Sequence, residues 1–395
     1  MLIKIQFMKI LVIPSWYPPN SGYFFQELNI ALLHEKNNVD VLVNTITSFK
    51  SFKFTALFKK NIYHNEFGLN VYRSKFYNIP KLNFLSSRLW IRDTYKRYLE
   101  YVKKNGHPDI IHAHSSIWAG VVASEINKQF SIPFVITEHR SRFIYNTAEA
   151  KKMLPEKYFP LLKPALQKAS LVTCVSPALK NKLVDIADSV KNKITIIPNT
   201  VNTDDFKLTS IEKPKDIFNW FSLGKLNPVK GFDILLEAVS LIRKNSDKKI
   251  ILRIGGDGPE YKNLNQLRKQ LNLEKTVFFT GKLTKDEVIK EMHLAHAFVL
   301  PSRFEAFGVV YIEAMACGLP VIGTDAGGQS SIINKDNGYI TESENPNKLA
   351  SAMSEMMENY HSFNKDEIRH SVIRKYNKSN IAKEYCRHFS KIINE

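Results

Sequence analysis

The chain has 395 residues, 44% hydrophobic and 24% charged, with 56 Lys and Arg against 38 Asp and Glu for a formal net charge of +18. That length and balance suit two or three globular domains and exclude disorder, a collagen-like repeat and a small disulfide-stapled fold. The excess charge favours an anionic partner (nucleic acid, phospholipid headgroups or a phosphorylated substrate), although a chain rich in Asn, Ile, Phe and Lys owes part of it to composition bias.

No run reaches the ~18 consecutive apolar residues of a membrane span. The opening stretch is too polar and interrupted for a signal peptide and runs into Trp16 and Pro18, so residues 9–13 read as a buried strand and 1–7 as a short extension. Further strands are expected at 39–43, 69–73, 109–113, 133–137 and 171–175, with helices at 24–36, 86–104, 117–129 and 177–187 between them. The polar, aperiodic segment 198–216 reads as an interdomain linker. A second series follows, with strands near 218–223, 250–254, 277–279, 297–300, 320–323 and 338–341. Helices near 232–245, 260–271, 285–293, 308–316 and 347–359 separate them, and 366–393 is helical in pattern. Strands alternating with helices predict two α/β domains with parallel sheets, whose ligands bind beyond the carboxyl ends of the strands. Cys174, Cys317 and Cys386 lie far apart without a C-x-x-C pair, which argues against a zinc site or disulfide framework and for a reducing cytoplasm.

The most informative segment runs from Pro301 to Pro320, PSRFEAFGVVYIEAMACGLP. A strand ends near Leu300, a loop follows, and a helix opens near Gly308 and stops at Gly318-Leu319-Pro320. The first N–H groups of such a helix are unsatisfied and carry partial positive charge, so a phosphate can sit there. Glu305, in the loop, can reach a ligand's reacting end. Glu313, inside the helix, can accept hydrogen bonds from ribose hydroxyls. An isolated pair of this kind is more simply a loop carboxylate and a solvated helix residue; the surrounding pattern reverses that reading.

The pattern resembles the retaining glycosyltransferases of family 4, which have the GT-B fold: two Rossmann-like α/β domains with parallel sheets facing across a cleft. SRFEAFGVVYIEAMACGLPVI carries that family's E-x7-E signature, and FSLGKLNPVKGFDILLEA (221–238) is similar to its basic donor-phosphate motif. Ile197-Pro198-Asn199, Ile254-Gly255-Gly256-Asp257-Gly258-Pro259 and Phe278-Phe279-Thr280-Gly281 also match in the family's order, and Pro14 to Phe24 resembles its first loop. The resemblance implies an acceptor-side domain at 1–200, a nucleotide-sugar donor domain at 201–365 and a C-terminal helix at 366–395 packing back on the first domain. It implies sugar transfer from a nucleotide-diphosphate sugar to a saccharide or lipid-linked saccharide with retention of configuration, in bacterial surface polysaccharide assembly.

By the same resemblance Lys225 and Lys230 stabilise charge on the departing diphosphate, Lys225 standing where the family usually has Arg. Glu313 holds the ribose. Glu305, Phe307 and Gly308 line the donor sugar, the latter two through backbone, while Val309 and Val310 offer N–H groups to the diphosphate. Gly281 joins the donor-binding set. Gly22 lets backbone approach a phosphate, with Ser21 in place of the first glycine of the family's pair. His139 matches the histidine facing the donor sugar and is assigned to orientation rather than attack. Ser330-Ser331 replaces the family's Pro-Glu, which alters the local loop or a donor contact.

The His112-x-His114 pair lacks a third ligand at metal spacing and reads as a strand-end loop. Gly255 to Pro259 is a tight post-strand turn rather than a G-x-G-x-x-G fingerprint, so a dinucleotide-dependent oxidoreductase has no support. No D-x-D signature is present, in keeping with a metal-independent enzyme whose only small-molecule requirement is its nucleotide-sugar substrate. Residues 48–60 interleave Phe49, Phe52, Phe54 and Phe58 with Lys50, Lys53, Lys59 and Lys60, which suits peripheral docking on an anionic inner-membrane surface. The alternative is an inactive nucleotide-binding partner subunit of the same fold. A nucleic-acid-binding protein lacks any recognised module.

Overall fold

The computed structural model describes residues 7–19, 22–48, 62–143, 156–245 and 248–395. The chain forms two compact units, Met1–Thr200 with Lys378–Glu395, and Val201–Asn377.

The first unit is built on eight strands: β1 (Lys9–Pro14), β2 (Asn38–Ser48), β3 (Ile62–Glu66), β4 (Leu69–Asn78), β5 (Ile110–His114), β6 (Phe134–Glu138), β7 (Leu171–Cys174) and β8 (Ile194–Ile196). Their order is β3-β4-β2-β1-β5-β6-β7-β8, parallel throughout except for the antiparallel edge pair β3–β4. β1 is central and lies beside β2 and β5. Its run of Ile10, Leu11, Val12 and Ile13 is buried on both faces, as a strand covered by helices on either side requires. Helices α1 (Tyr23–His34), α2 (Asn83–Asn105), α3 (Val121–Phe130), α4 (Phe159–Lys168) and α5 (Pro177–Ile186) connect the strands.

The second unit has six parallel strands, β9 (Ile217–Leu223), β10 (Lys249–Gly255), β11 (Val277–Gly281), β12 (Ala297–Val299), β13 (Val321–Thr324) and β14 (Gly338–Thr341), in the order β11-β10-β9-β12-β13-β14. That is the doubly wound 3-2-1-4-5-6 arrangement, whose order reverses between β9 and β12 and leaves a crevice beyond their carboxyl ends. Helices α6 (Phe232–Asn245), α7 (Tyr261–Gln270), α8 (Lys285–Leu294), α9 (Val309–Ala316), α10 (Pro346–Glu358) and α11 (Lys365–Tyr376) cover the sheet. Local signals start several of them: Thr284 and Glu287 form a reciprocal capping box on α8, and Asn345 with Pro346 opens α10.

One expectation about the elements needs correction. The C-terminal stretch is not one helix of 366–395. α11 belongs to the second unit, Asn377 turns extended (φ −61°, ψ 134°), and only α12 (Lys378–Asn394) joins the first. There Ile381, Ala382, Tyr385 and Phe389 are buried with Leu28, Leu32 and Val39, and each large apolar side chain so buried contributes about 1.5–3 kcal/mol. The segment 198–216 carries no helix and spans the boundary between the units, as the linker reading expected, and its beginning is packed. Asn199, Val201, Thr203 and Phe206 are buried, and the Arg369 guanidinium donates to the carbonyls of Thr203, Phe206 and Ala316 at 2.9, 2.5 and 2.6 Å.

Among the described residues no helix is long and apolar enough to cross a membrane. The aromatic and basic segment 48–60 lies outside the described residues apart from Ser48.

Candidate active site

In the second unit the polypeptide leaves β9 through Gly224-Lys225-Leu226, makes a short 3-10 turn at Pro228–Lys230 and enters α6 through Gly231. Gly231 has φ +66°, and a Cβ there would lie 2.1 Å from the Pro301 carbonyl oxygen, so the turn closes against the end of β12 only as glycine. Lys230 Nζ is 2.5 Å from Glu305 Oε2, with both side chains mostly shielded from solvent. The two residues, distant in sequence, meet at the point where the strand order reverses. Lys225 is exposed, and among the described residues its ammonium makes no ion pair.

The loop carrying Glu305 is held on its other side by the turn after β13. Glu305 N–H donates to the Ala326 carbonyl at 3.2 Å, and Gly328 N–H donates to the Glu305 carbonyl at 2.8 Å. Gly327 has φ +134°, and a Cβ there would sit 2.2 Å from the Glu305 carbonyl oxygen. The glycine pair thus supports Glu305 through backbone. Ser330 and Ser331 are exposed in the next turn, where Ser331 Oγ donates to the Gly328 carbonyl at 2.6 Å.

Arg303, which sequence reading passed over, ties the Glu305 loop to the Lys230 turn. Its guanidinium makes a bidentate pair with Asp233 at 2.9 and 2.6 Å and donates to Glu344 at 2.9 Å and to the Pro228 carbonyl at 2.5 Å. Its backbone N–H donates to the Val229 carbonyl at 2.7 Å. An arginine two residues before a signature glutamate was the available clue, but nothing local names its partners.

α9 begins after Gly308 without a side-chain cap. Tyr311 N–H turns back to the Gly308 carbonyl at 3.0 Å, leaving the Val309 and Val310 amides at the open end. Phe307 is 2% exposed and packs edge-on against Tyr376 at 5.7 Å between centroids, so its backbone, not its ring, is available to a ligand. Glu313 lies further along α9. Burial pushes its carboxyl up to about 7, with Lys285 opposing the shift, and among the described residues it makes no hydrogen bond. Gly281 is exposed at the end of β11; its carbonyl accepts from Gly256 N–H at 2.7 Å, one layer behind Gly224.

The first unit gathers His139, His114 and Gly22. His139 follows β6, with Nε2 3.0 Å from His114 Nδ1 and Nδ1 2.8 Å from Asn199 Oδ1. The Asn199 carbonyl oxygen accepts from His139 Nδ1–H, so Nε2 accepts from His114 Nδ1–H. Burial, assisted by Arg140, draws His139 down to about 3 against the opposing Asn199 bond. It is a neutral ring with both nitrogens engaged, suited to holding shape rather than moving protons. Phe25 stacks on His114 at 4.5 Å and packs against His139 at 4.7 Å. Gly22, at the start of α1, leaves room for the Phe25 ring, which would be 2.9 Å from a Cβ.

Glu138, also unanticipated, is fully buried. Its Oε1 accepts the N–H groups of His139 and Arg140, both at 3.0 Å, and its Oε2 accepts Ser116 N–H at 2.8 Å. The His112-x-His114 pair corrects the loop reading: both residues lie on β5 and are buried, and His112 Nε2 is 2.7 Å from Thr137 Oγ1. Among the described residues no group of three His, Cys, Asp or Glu side chains is placed to hold a metal ion.

Comparison with known proteins follows the same division of the chain. The model for "Glycosyl transferases group 1" matches residues 202–378, and that for "Glycosyltransferase Family 4" matches 22–205. The chain is 30% identical over 353 residues to uncharacterized glycosyltransferase MJ1178 of Methanocaldococcus jannaschii, covering 89% of each. Its fold is shared with sucrose-phosphate synthase from Thermosynechococcus elongatus (TM-score 0.81, 20% identity, 98% and 99% coverage). It is also shared with Anabaena Alr3699/HepE, solved with UDP-glucose (TM-score 0.71, 19% identity, 97% and 100% coverage).

Proposed function

The chain belongs to the family 4 glycosyltransferases of group 1 and has their GT-B fold, and on that premise we propose that it transfers a sugar from a nucleotide-diphosphate donor, with retention of anomeric configuration, to a saccharide or lipid-linked saccharide destined for a bacterial surface polysaccharide. Breaking the bond between the anomeric carbon and the diphosphate leaves growing negative charge on the leaving group. Cations and N–H dipoles already in place stabilise that charge more than the ground state, which lowers the barrier. Lys225, Lys230 and the Val309 and Val310 amides take this role. Glu313 accepts the ribose hydroxyls, and Glu305 with the Phe307 and Gly308 backbone receives the sugar. Gly281 supports the donor through the Gly256 turn.

One observation carries the reading: Lys230 is set against Glu305 where β9 and β12 diverge, beside a helix start that no side chain among the described residues caps. The nucleotide donor is further supported by UDP-glucose in the Anabaena neighbour. The +18 charge favours an anionic surface, which suits an acceptor carried on lipid. A ligand-observed binding panel of UDP, GDP, ADP and their sugar conjugates tests the donor. Glu313→Ala is expected to weaken nucleotide binding, while Glu305→Ala mainly slows turnover, and EDTA leaves turnover unchanged. If both substitutions leave transfer intact, the site is elsewhere.

A further inference from the structure

Lys230 stands in a turn with little support of its own. Its N–H donates to the Asn227 carbonyl at 3.1 Å and Gly231 N–H to Pro228 at 3.3 Å, and the ammonium sits at the end of a flexible four-carbon stem. Arg303 supplies what the turn lacks. Its guanidinium binds the Pro228 carbonyl before Lys230 and the Asp233 carboxylate after it, and its backbone N–H binds the Val229 carbonyl, all from the loop that carries Glu305. Moving the Lys230 turn relative to the Glu305 loop would break these contacts together.

We propose that Arg303 is a positioning residue for sugar transfer: it clamps the Lys230 turn to the Glu305 loop so that the ammonium is fixed in advance where charge develops on the leaving diphosphate. The inference rests on the transferase reading above. Arg303 itself is turned toward Asp233 and Glu344 and acts through Lys230. A displacement of about 1 Å in such a group costs on the order of 100-fold in rate. The fold is expected to tolerate loss of the guanidinium, because Asp233 and Glu344 have 41% and 63% side-chain exposure and neither would become a buried orphan charge.

The test is a double-mutant cycle with Arg303→Met and Lys230→Met, using released nucleoside diphosphate from a panel of UDP-, GDP- and ADP-sugars as readout. Arg303→Met is expected to lower kcat about tenfold or more, with KM changing less than about threefold. In the Lys230→Met background the same change is expected to cost less than about twofold, because the group being positioned is already gone. Asp233→Asn, which keeps the side chain's shape but weakens the bidentate pair, is expected to lose about threefold and guards against a misfolded Arg303 variant. Fully multiplicative losses, or an Arg303→Met enzyme as fast as the unaltered one, overturn the clamp alone. An unaltered chain that turns over no donor overturns the transferase reading and the clamp with it.

Discussion

Glu313 is a carboxyl that burial holds near 7, and its proposed partners are ribose hydroxyls, which donate best to the ionised form. Nucleotide affinity is therefore expected to rise about tenfold between pH 6 and 8, with a proton released on binding at the low end. Calorimetry in buffers of different ionisation enthalpy measures both quantities, and Glu313→Gln should flatten the pH dependence. The stability consequence has the opposite direction. Because the folded-state value is raised, the carboxyl costs nothing below its unfolded value near 4.5 and progressively more as pH climbs through 7. Glu313→Gln should thus raise Tm at pH 8 and leave it nearly unchanged at pH 4. Gly327 presents a different sensitivity, since a Cβ would collide with the Glu305 carbonyl. Gly327→Ala is expected to cost about 1–3 kcal/mol and to slow turnover more than it weakens nucleotide binding, as denaturation and steady-state kinetics would show.

Among the elements, α12 has a role that its distance in sequence conceals. Phe389 is fully buried, and Tyr385 Oη lies 3.1 Å from the hydroxyls of both Thr137 on β6 and Thr173 on β7. Phe389→Ala is expected to destabilise the first unit by about 3–5 kcal/mol and Tyr385→Phe by about 1 kcal/mol. Neither should change nucleotide affinity if that site belongs to the second unit; equilibrium unfolding alongside a binding titration decides it. The elements that sequence reading found are those with a clean period. β1 carries a continuous apolar run from Ile10 to Ile13, β9 and β10 are mostly apolar, and α6 and α10 repeat at helical spacing. β3 escaped because Ile62-Tyr63-His64-Asn65-Glu66 is an exposed edge with no buried face to pattern. α4 escaped because Pro164 lies inside it. The apparent single C-terminal helix kept its apolar spacing across Asn377, where only tertiary packing separates α11 from α12.

For the molecule as a whole, the +18 charge predicts salt-sensitive attraction to anionic membranes. The chain should co-sediment with vesicles containing anionic lipid at low ionic strength, stay in solution with neutral vesicles, and release at about 0.5 M salt. Replacing Lys50, Lys53, Lys59 and Lys60 by Glu should weaken the attraction markedly; unchanged binding would remove the membrane from the proposal. Most of the candidate residues proposed for the donor were legible as a pattern, because they fall in two short motifs, 221–238 and 301–320, whose spacing is set within single strand–loop–helix units. The same locality yielded the α/β alternation. Contacts between such units left no comparable trace. That Arg303 would reach Asp233, that Gly327 and Gly328 would brace Glu305, and that His114 would occupy one nitrogen of His139 all depend on which strands lie side by side. Strand neighbours are set by long crossovers and collective burial, so a polar partner dozens of residues away obeys no period a linear pattern can display.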